Sequence, residues 1–436
     1  MKFPSAHKEN YSELFSKSVM SLLLKILAAG AALSLNIIIS RFLGAEHSGY
    51  YFLAITLVTV LAMLSLMGFD PIVTRFVSAY SSKNNWSLVN AVYTAVTIRA
   101  SLALLLVSVL LFLSAPFLSE NVFHKPLLSS PLKYMSFGVI SLGLVMLHGR
   151  FFQGLKQVGK LHFCQNLGLS LVLIVLLLLF FLILDGLNTG QVALLYLLAS
   201  CIVTLIAIWL WWKRSQSNWN FEYNARELWR SALPMWGVAS LSILMTWGVP
   251  LFLGVWAESK DVAVFHNAFR TSSLVMLVLM AINSIAAPKF SALHHQGDIE
   301  SLKHIAIWST RLMVLACIPV LGFILVFSEW IMGLFGPEFV VGAPVLVVLA
   351  LGQFVNVATG SVGFLLSMTG HERYLLCSSG ITAVVMVGLC VWLIPEYGVM
   401  GAAIAQAVSL SVQMLLNTWF VKMALGFVPM NIFSKT

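Results

Sequence analysis

Apolar residues in this chain fall into long runs separated by short polar breaks. Each run is close to the 20 or so residues that a helix needs to cross a bilayer's hydrocarbon core. About twelve runs are read, at 18–42, 49–68, 90–113, 133–153, 162–184 and 191–212, then 231–256, 262–287, 303–327, 343–368, 373–394 and 398–424. Pro234, Pro250 and Pro319 interrupt three of them. Proline kinks a membrane helix without having to end it, so the count turns on whether those runs continue.

Lys and Arg in the breaks orient the runs, because cytoplasmic loops retain positive charge. With the N-terminus inside, the cytoplasmic breaks hold Lys2, Lys8, Lys17, Arg75, Lys83, Arg150, Lys156, Lys160, Lys213, Arg214, Arg226, Arg230, Lys289, Lys303, Arg373, Lys422 and Lys435, 17 of the 25 cations. The outward breaks hold four: Arg41, Lys125, Lys133 and Lys260. Both termini are therefore expected in the cytoplasm, in agreement with an even number of spans.

Composition adds an exclusion. The 436 residues are 60% hydrophobic and 9% charged, against roughly 25% charge in soluble proteins, which rules out a water-soluble enzyme. The pI near 9.3 is explained by cytoplasmic loops facing anionic lipid, with no need for nucleic acid. Five scattered cysteines form no Cys-x-x-Cys pair, so neither a zinc site nor a disulfide framework is indicated. The apolar run after residues 1–17 is too long for a signal-peptide core and lacks a small-residue cleavage site, which predicts an uncleaved anchor.

The two halves carry an internal repeat. Phe42-Leu43-Gly44 recurs as Phe252-Leu253-Gly254, Arg75-Phe76 as Lys289-Phe290, and Ser87-Leu88 as Ser301-Leu302; Arg99 matches Arg311, and Phe152-Gln153-Gly154 sits opposite Met368-Thr369-Gly370. The offsets run from 210 to 216 and keep a common register relative to the spans. Six spans per half give both halves one orientation, hence a parallel repeat about the membrane normal. The expected organisation is a cytoplasmic segment 1–17, a six-helix bundle 18–212, a linker 213–230, a second bundle 231–424 and a tail 425–436.

Catalytic signatures are missing. The chain has no Gly-x-x-x-x-Gly-Lys-Ser/Thr, Gly-x-Ser-x-Gly or His-Glu-x-x-His, so no ATP-driven pump, serine hydrolase or zinc protease is indicated, and no cofactor or metal is expected. His294 and His295 are adjacent and point to different helix faces; His371 lies in a short turn; His148 within span four suits packing or hydrogen bonding better than acyl transfer.

What remains is charge inside the spans, which costs about 2.5–3.5 kcal/mol per Lys or Arg at a helix centre. Lys25, Arg99, Arg270 and Arg311 lie there, with no Asp or Glu at comparable depth. Cations without acids suit an anionic cargo such as a diphosphate or acidic sugar. Lys25, about 10 Å into its helix, admits both cavity lining and snorkelling; Arg270, about 12 Å from the outer end, favours cavity lining. Arg99 and Arg311 reach the inner headgroups. Asn36, Asn283, Gln353 and Asn356 suit a hydrophilic path or interhelical hydrogen bonds equally. Asp70, before Pro71, admits helix capping, pairing with Arg75, or ion coupling and gating.

Several motifs resemble the polysaccharide transporter branch of the multidrug/oligosaccharidyl-lipid/polysaccharide flippase superfamily, the O-antigen flippase type. They are Ser40-Arg41-Phe42-Leu43-Gly44-Ala45-Glu46 with Gly49-Tyr50-Tyr51, Gly68-Phe69-Asp70 and Arg75-Phe76; Ala286-Ala287-Pro288-Lys289-Phe290-Ser291-Ala292-Leu293 with Gly297-Asp298; Leu334-Phe335-Gly336-Pro337-Glu338-Phe339, Gly352-Gln353-Phe354-Val355-Asn356, Thr359-Gly360 and Met368-Thr369-Gly370; and Gly401-Ala402-Ala403-Ile404-Ala405. The resemblance covers nearly the whole chain. It implies an all-α fold like that of multidrug and toxin extruders, with a central cavity lined by spans one, two, seven and eight and faced by Lys25 and Arg270. It further implies turning of undecaprenyl-diphosphate-linked oligosaccharide from the cytoplasmic to the outer leaflet of a bacterial inner membrane, beside a polysaccharide polymerase and a chain-length regulator. Such flippases are thought to couple to ion gradients through buried carboxylates, which this chain lacks at mid-membrane. A small-molecule exporter on the same fold is the competing reading and would want buried acids. A membrane polymerase or acyltransferase would want a large outward loop, and the longest, about 114–132, is short and plain.

Overall fold

The computed structural model describes residues 5–183, 186–215 and 225–430; the side chains of residues 5–19, 225–231, 166, 234, 285 and 288 lie outside that description. Parts of the expected terminal segment, linker and tail therefore fall outside it, as do the side chains of Lys2, Lys8, Lys17, Arg226, Arg230, Lys435 and Pro234. The described residues form helices and no strand: α1 (Ser5–Ser65), α2 (Phe69–Ser81), α3 (Trp86–Phe117), α4 (Ser129–Ser136), α5 (Gly138–Gly154), α6 (Val158–His162), α7 (Gly168–Phe181), α8 (Thr189–Trp212), α9 (Ala225–Trp256), α10 (Ser259–Ser272), α11 (Met276–His295), α12 (Ile299–Val326), α13 (Ser328–Gly333), α14 (Ala343–Ala358), α15 (Val362–Met368) and α16 (Glu372–Leu425). Two compact units result, one of Leu24–Ala263 and one of Val264–Thr436 with the chain up to Leu23.

Among the described residues, 8 helical segments are long and apolar enough to cross a membrane, and two bent pairs, Pro126–Ser136 with Gly138–Gly154 and Val158–Gln165 with Gly168–Phe181, raise this to 10. Two of the segments, Met20–Ser65 and Glu372–Leu425, run to 46 and 54 residues, about twice the length a bilayer needs. Each is broken by a glycine in a conformation no helix contains, Gly44 at φ 73°, ψ 178° and Gly398 at φ 53°, ψ −128°. Counting each broken segment twice restores the expected twelve. Helix α12 continues through Pro319 and α9 through residue 250, so proline did not end those runs.

Two expected boundaries move. The chain after span two forms α2, an amphipathic helix burying Phe69, Ile72, Val73, Phe76 and Val77, the i, i+3, i+4 spacing of one face. Span ten stops at Ala358, because Gly360 takes φ 77° and lies so close to Thr310 that a Cβ would sit 2.1 Å from its hydroxyl oxygen; α15 follows as a separate short helix.

Backbone conformation gives the repeat a sharper register than residue identity does. Positive φ recurs at Asn84 and Gly297, His124 and Gly336, Lys156 and Gly370, and Gly186 and Gly398, at offsets of 213, 212, 214 and 212. Helices α3 and α12 also start alike: Asn85 accepts from the Leu88 N–H at 3.2 Å and Asp298 from the Ser301 N–H at 2.9 Å, each side chain capping an orphan donor. The alignment of Gly154 with Gly370 is corrected by two residues, since Lys156 is the true counterpart of Gly370. The basic–Phe repeat has one physical meaning in both halves: Phe76 and Phe290 are buried, while Arg75 and Lys289 are exposed.

In the first unit the tightest approach is at Gly49, where a Cβ would stand 1.9 Å from the Ser259 carbonyl oxygen. Gly49→Ala is expected to cost about 1–3 kcal/mol through overpacking and to lower the melting temperature in detergent. Gly237→Ala, with nothing within 4 Å of its Cβ, should melt like the parent protein; equal melting of both variants would refute the packing assignment.

Candidate functional site

Lys25 lies half-buried on α1, among exposed Leu23, Ile26 and Leu27. No hydrogen bond or carboxylate partner reaches it among the described residues, and buried His162 is within range of its charge. Asn36 is buried eleven residues further on, three helical turns away and so on the same stripe as Lys25. One face of α1 thus carries an ammonium and an amide about 16 Å apart.

In the second unit, Arg270 emerges exposed near the end of α10 after a buried stretch containing His266 and Asn267. Asn283 is buried and accepts a hydrogen bond from the Ser361 hydroxyl, which joins α11 to the start of α15 and realises the interhelical alternative for its carbonyl. Its Nδ2 has no partner. Gln353 is buried with an unpartnered Oε1, and Asn356 is buried nearby on α14. Arg311 is half-buried on α12. Arg99, in the first unit, donates to its own helix at Ala95 O, 2.7 Å away, which suits a snorkelling side chain.

Asp70 pairs with a different arginine from the one expected. Its Oδ2 lies 3.6 Å from Arg150 Nε, and Arg150 also donates to Gln153 Oε1 at 3.0 Å. The Thr74 hydroxyl lies 3.4 Å from both the Asp70 and the Arg150 carbonyl oxygens, bracing α2 against α5. Arg75 is exposed and stacks on Phe76, 5.8 Å from the ring centroid. Five residues on a helix turn the chain by about 140°, so Arg75 faces away from Asp70. Capping is likewise excluded: Gly68 is the N-cap of α2 and no side chain bonds there. Asp70 Oδ1 is left buried without a partner. Burial raises its carboxyl above the usual aspartate value, and Arg150 opposes that shift.

His148 is fully buried, with Nδ1 2.7 Å from the Leu144 carbonyl and Nε2 3.1 Å from the Tyr93 hydroxyl. Both ring nitrogens are engaged, which is the structural role expected of it.

Lys125 is a residue whose importance the sequence did not disclose. Though in a break that the loop charges read as outward, it is only 8% exposed. Its Nζ donates to the carbonyls of Gly254 at 2.7 Å, Ala257 at 2.8 Å and Phe123 at 3.2 Å. Carbonyls at a helix C-terminus lack intrahelical donors and carry partial negative charge, so one ammonium caps α9 and ties it to the break after α3. Burial pulls the Lys125 ammonium below the ordinary lysine value, while Asp261 and Glu258 help retain its proton. The positive-inside rule held the only hint, since a cation in an outward break calls for a local partner. Beside this tie lies a cavity of about 570 Å³ lined by Glu46, Tyr50, Lys125, Trp256, Glu258 and Lys260 among others. Glu258 and Lys260 pair at 2.6 Å, and Ser259 Oγ donates to Glu46 O at 2.9 Å.

The profile of the family described as polysaccharide biosynthesis protein matches residues 14–294. A probable low-salt glycan biosynthesis flippase, Agl15 of Haloferax volcanii, is 28% identical over 253 residues, 55% of this chain and 51% of that protein; the match spans about half the length of that relative. The fold is similar to the inward-facing conformation of a multidrug resistance MATE family transporter of the MOP superfamily, with TM-score 0.78 at 15% identity over 94% of this chain and 98% of that one. It is also similar to the lipid II flippase MurJ in an inward closed conformation, with TM-score 0.74 at 14% identity over 93% and 87% of the two chains. At such identities these two likenesses are of fold.

Lys125→Met removes three charge-assisted hydrogen bonds and strands buried carbonyls, and should cost about 3 kcal/mol of stability. Thermal melting in detergent measures this, with Lys125→Arg expected to fall between the two. A Lys125→Met variant that melts like the parent protein would show that the carbonyls find other donors.

Proposed function

The chain belongs to the polysaccharide biosynthesis protein family, and from that premise we propose that it is a flippase for lipid-linked glycans working by alternating access. Its cargo in this reading is an undecaprenyl-diphosphate-linked oligosaccharide, moved outward across a bacterial inner membrane for O-antigen, capsule or exopolysaccharide assembly. A polymerase and a chain-length regulator are the expected downstream partners. The observation that carries the reading is the sign of the charge within the spans: Lys25, Arg99, Arg270 and Arg311 lie there without an acid at comparable depth, and Lys25 has no carboxylate partner among the described residues. A small-molecule exporter attracting cations would need the opposite polarity.

Lys25 and Arg270 are assigned to the diphosphate or an acidic sugar, and Asn36 and the Asn283 Nδ2 to sugar hydroxyls. Coupling or gating is assigned to Asp70 with Arg150, where a carboxyl of raised affinity for protons is held loosely by a guanidinium. Protonation would release Arg150, and deprotonation would restore the pair. Arg75, exposed on the other side of α2, is left to contacts with headgroups.

Lys25→Ala and Arg270→Ala, expressed at parental levels in a flippase-deficient strain with a defined O-unit, should each reduce surface glycan about tenfold or more, the loss of one charge-assisted contact. Export equal to the parent protein would end the reading of these two cations. Since burial raises the Asp70 value, its carboxyl holds a proton at higher pH than a free aspartate and loses it as pH climbs through that raised value. Transport should change across that interval in the parent protein, and Asp70→Asn, fixed in a neutral form, should show no such change; a retained pH profile in Asp70→Asn would remove Asp70 from coupling.

A further inference from the structure

Three cations from breaks read as cytoplasmic gather at one end of the first unit with no anion among the described residues to hold them. Lys160, at the start of the α6–α7 span, feels the like charges of Arg214 and Lys213. Each of the three is seated on an aromatic ring: Lys160 Nζ is 5.3 Å from the Phe152 centroid, Lys213 Nζ 5.3 Å from Trp209, and the Arg214 guanidinium carbon 4.8 Å from Trp86. None forms a hydrogen bond or ion pair with a described residue. Phe152 and Trp86 are buried, and buried Trp211 packs against Phe152 with ring centroids 6.0 Å apart, so Lys160 and Arg214 rest on a packed floor, while Lys213 rests on the exposed Trp209 one turn before it.

Mutually repelling charges fixed side by side raise the free energy of the empty surface and lower it when an anion arrives. The surroundings say which anion. Along α8, Leu205, Ile208, Trp209 and Trp212 are 66%, 38%, 56% and 71% exposed. Their spacing places them on one face of the helix, and that apolar stripe ends directly at Lys213 and Arg214. A ligand that matches has a hydrocarbon chain beside the stripe and a multiply charged headgroup at its end. The orientation set by loop cations puts that end in the cytoplasmic leaflet.

We propose that Lys160, Lys213 and Arg214 form a docking site for the diphosphate headgroup of a prenyl lipid in the cytoplasmic leaflet, separate from the cations within the spans. The site rests on the flippase reading for its biological purpose, which is to hold cargo at the surface before it enters. Three cations suit a diphosphate better than the single phosphodiester charge of most bulk phospholipids. The aromatic seats keep the cations in place while leaving their N–H groups toward the headgroup.

The test uses the full chain in nanodiscs with a benzophenone-bearing farnesyl diphosphate, cross-linked by light and mapped by peptide mass spectrometry. Adducts are expected on the 205–215 segment. In the triple variant Lys160→Gln/Lys213→Gln/Arg214→Gln, half-saturation should move about a hundredfold upward, from roughly 1 kcal/mol per surface cation. The charge-preserving variant Lys160→Arg/Lys213→Arg/Arg214→Lys should label like the parent protein, which separates loss of charge from misfolding. Labelling of the triple variant at parental concentrations would overturn the proposal. So would competition by phosphatidylglycerol as effective, mole for mole, as unlabelled farnesyl diphosphate, because the site would then be a general one for anionic lipid. Surface-glycan complementation by the parent protein, scored in parallel, separates the two readings: complementation without labelling removes only the docking site, and labelling without complementation removes only the flippase.

Discussion

Hydrocarbon offers no hydrogen bond and almost no solvation for charge, and each feature of this molecule follows from those two deficits. Backbone polar groups must be satisfied within the segment that carries them, so the crossings are helices, and buried hydroxyls turn back onto their own helix, as Thr56 does to Phe52 O at 2.7 Å and Ser65 to Leu61 O at 2.6 Å. Where helices must end or break, the exposed carbonyls need a donor. Lys125 supplies one to the end of α9 from a residue 129 positions away along the chain. The same deficit keeps charges scarce, and so makes each remaining one informative.

Those constraints also decide what a reader of the sequence can recover. The spans were legible, because a bilayer enforces length at every crossing. The repeat was legible in pairs such as Arg75-Phe76 and Lys289-Phe290, where a basic residue faces outward and an aromatic one is buried. It was misread by two residues at Gly154, because the shared feature there is a backbone conformation. Asn84, His124 and Lys156 have glycines as counterparts in the second half, and a positive φ in one half cannot be inferred from an unlike residue in the other. Helix α2 was hidden for a related reason: thirteen residues of mixed polarity between spans have no bilayer to fix their length.

The candidate site was only partly legible. Lys25, Asn36, Arg270 and Asn283 were recognisable as polar groups in apolar runs, but the commitment of Asn283 to Ser361 depends on a contact 78 residues distant in sequence. Asp70 was recognisable as an isolated acid, and its partner was not, since Arg150 lies eighty residues away while Arg75 stood temptingly near. Lys160, Lys213 and Arg214 read as ordinary members of the cytoplasmic charge excess; only the fold brings them together on Phe152, Trp209 and Trp86. Proximity of like charges is invisible to composition.

Taken together, Lys25, Arg99, Arg270 and Arg311 lie within the apolar runs, while acids such as Glu46, Asp70 and Glu396 sit at the ends or glycine breaks of helices; in the proposed function those cations meet a lipid-linked anion. The central claim is that this polarity selects the cargo by the charge of its linkage. The most direct measurement is translocation by purified protein in proteoliposomes, comparing a fluorescent prenyl-diphosphate disaccharide with the same disaccharide joined to the same prenyl chain through a neutral glycosidic bond. The account predicts rapid protein-dependent crossing of the diphosphate compound and a rate for the neutral one no faster than in empty liposomes. Equal protein-dependent rates for the two would contradict it.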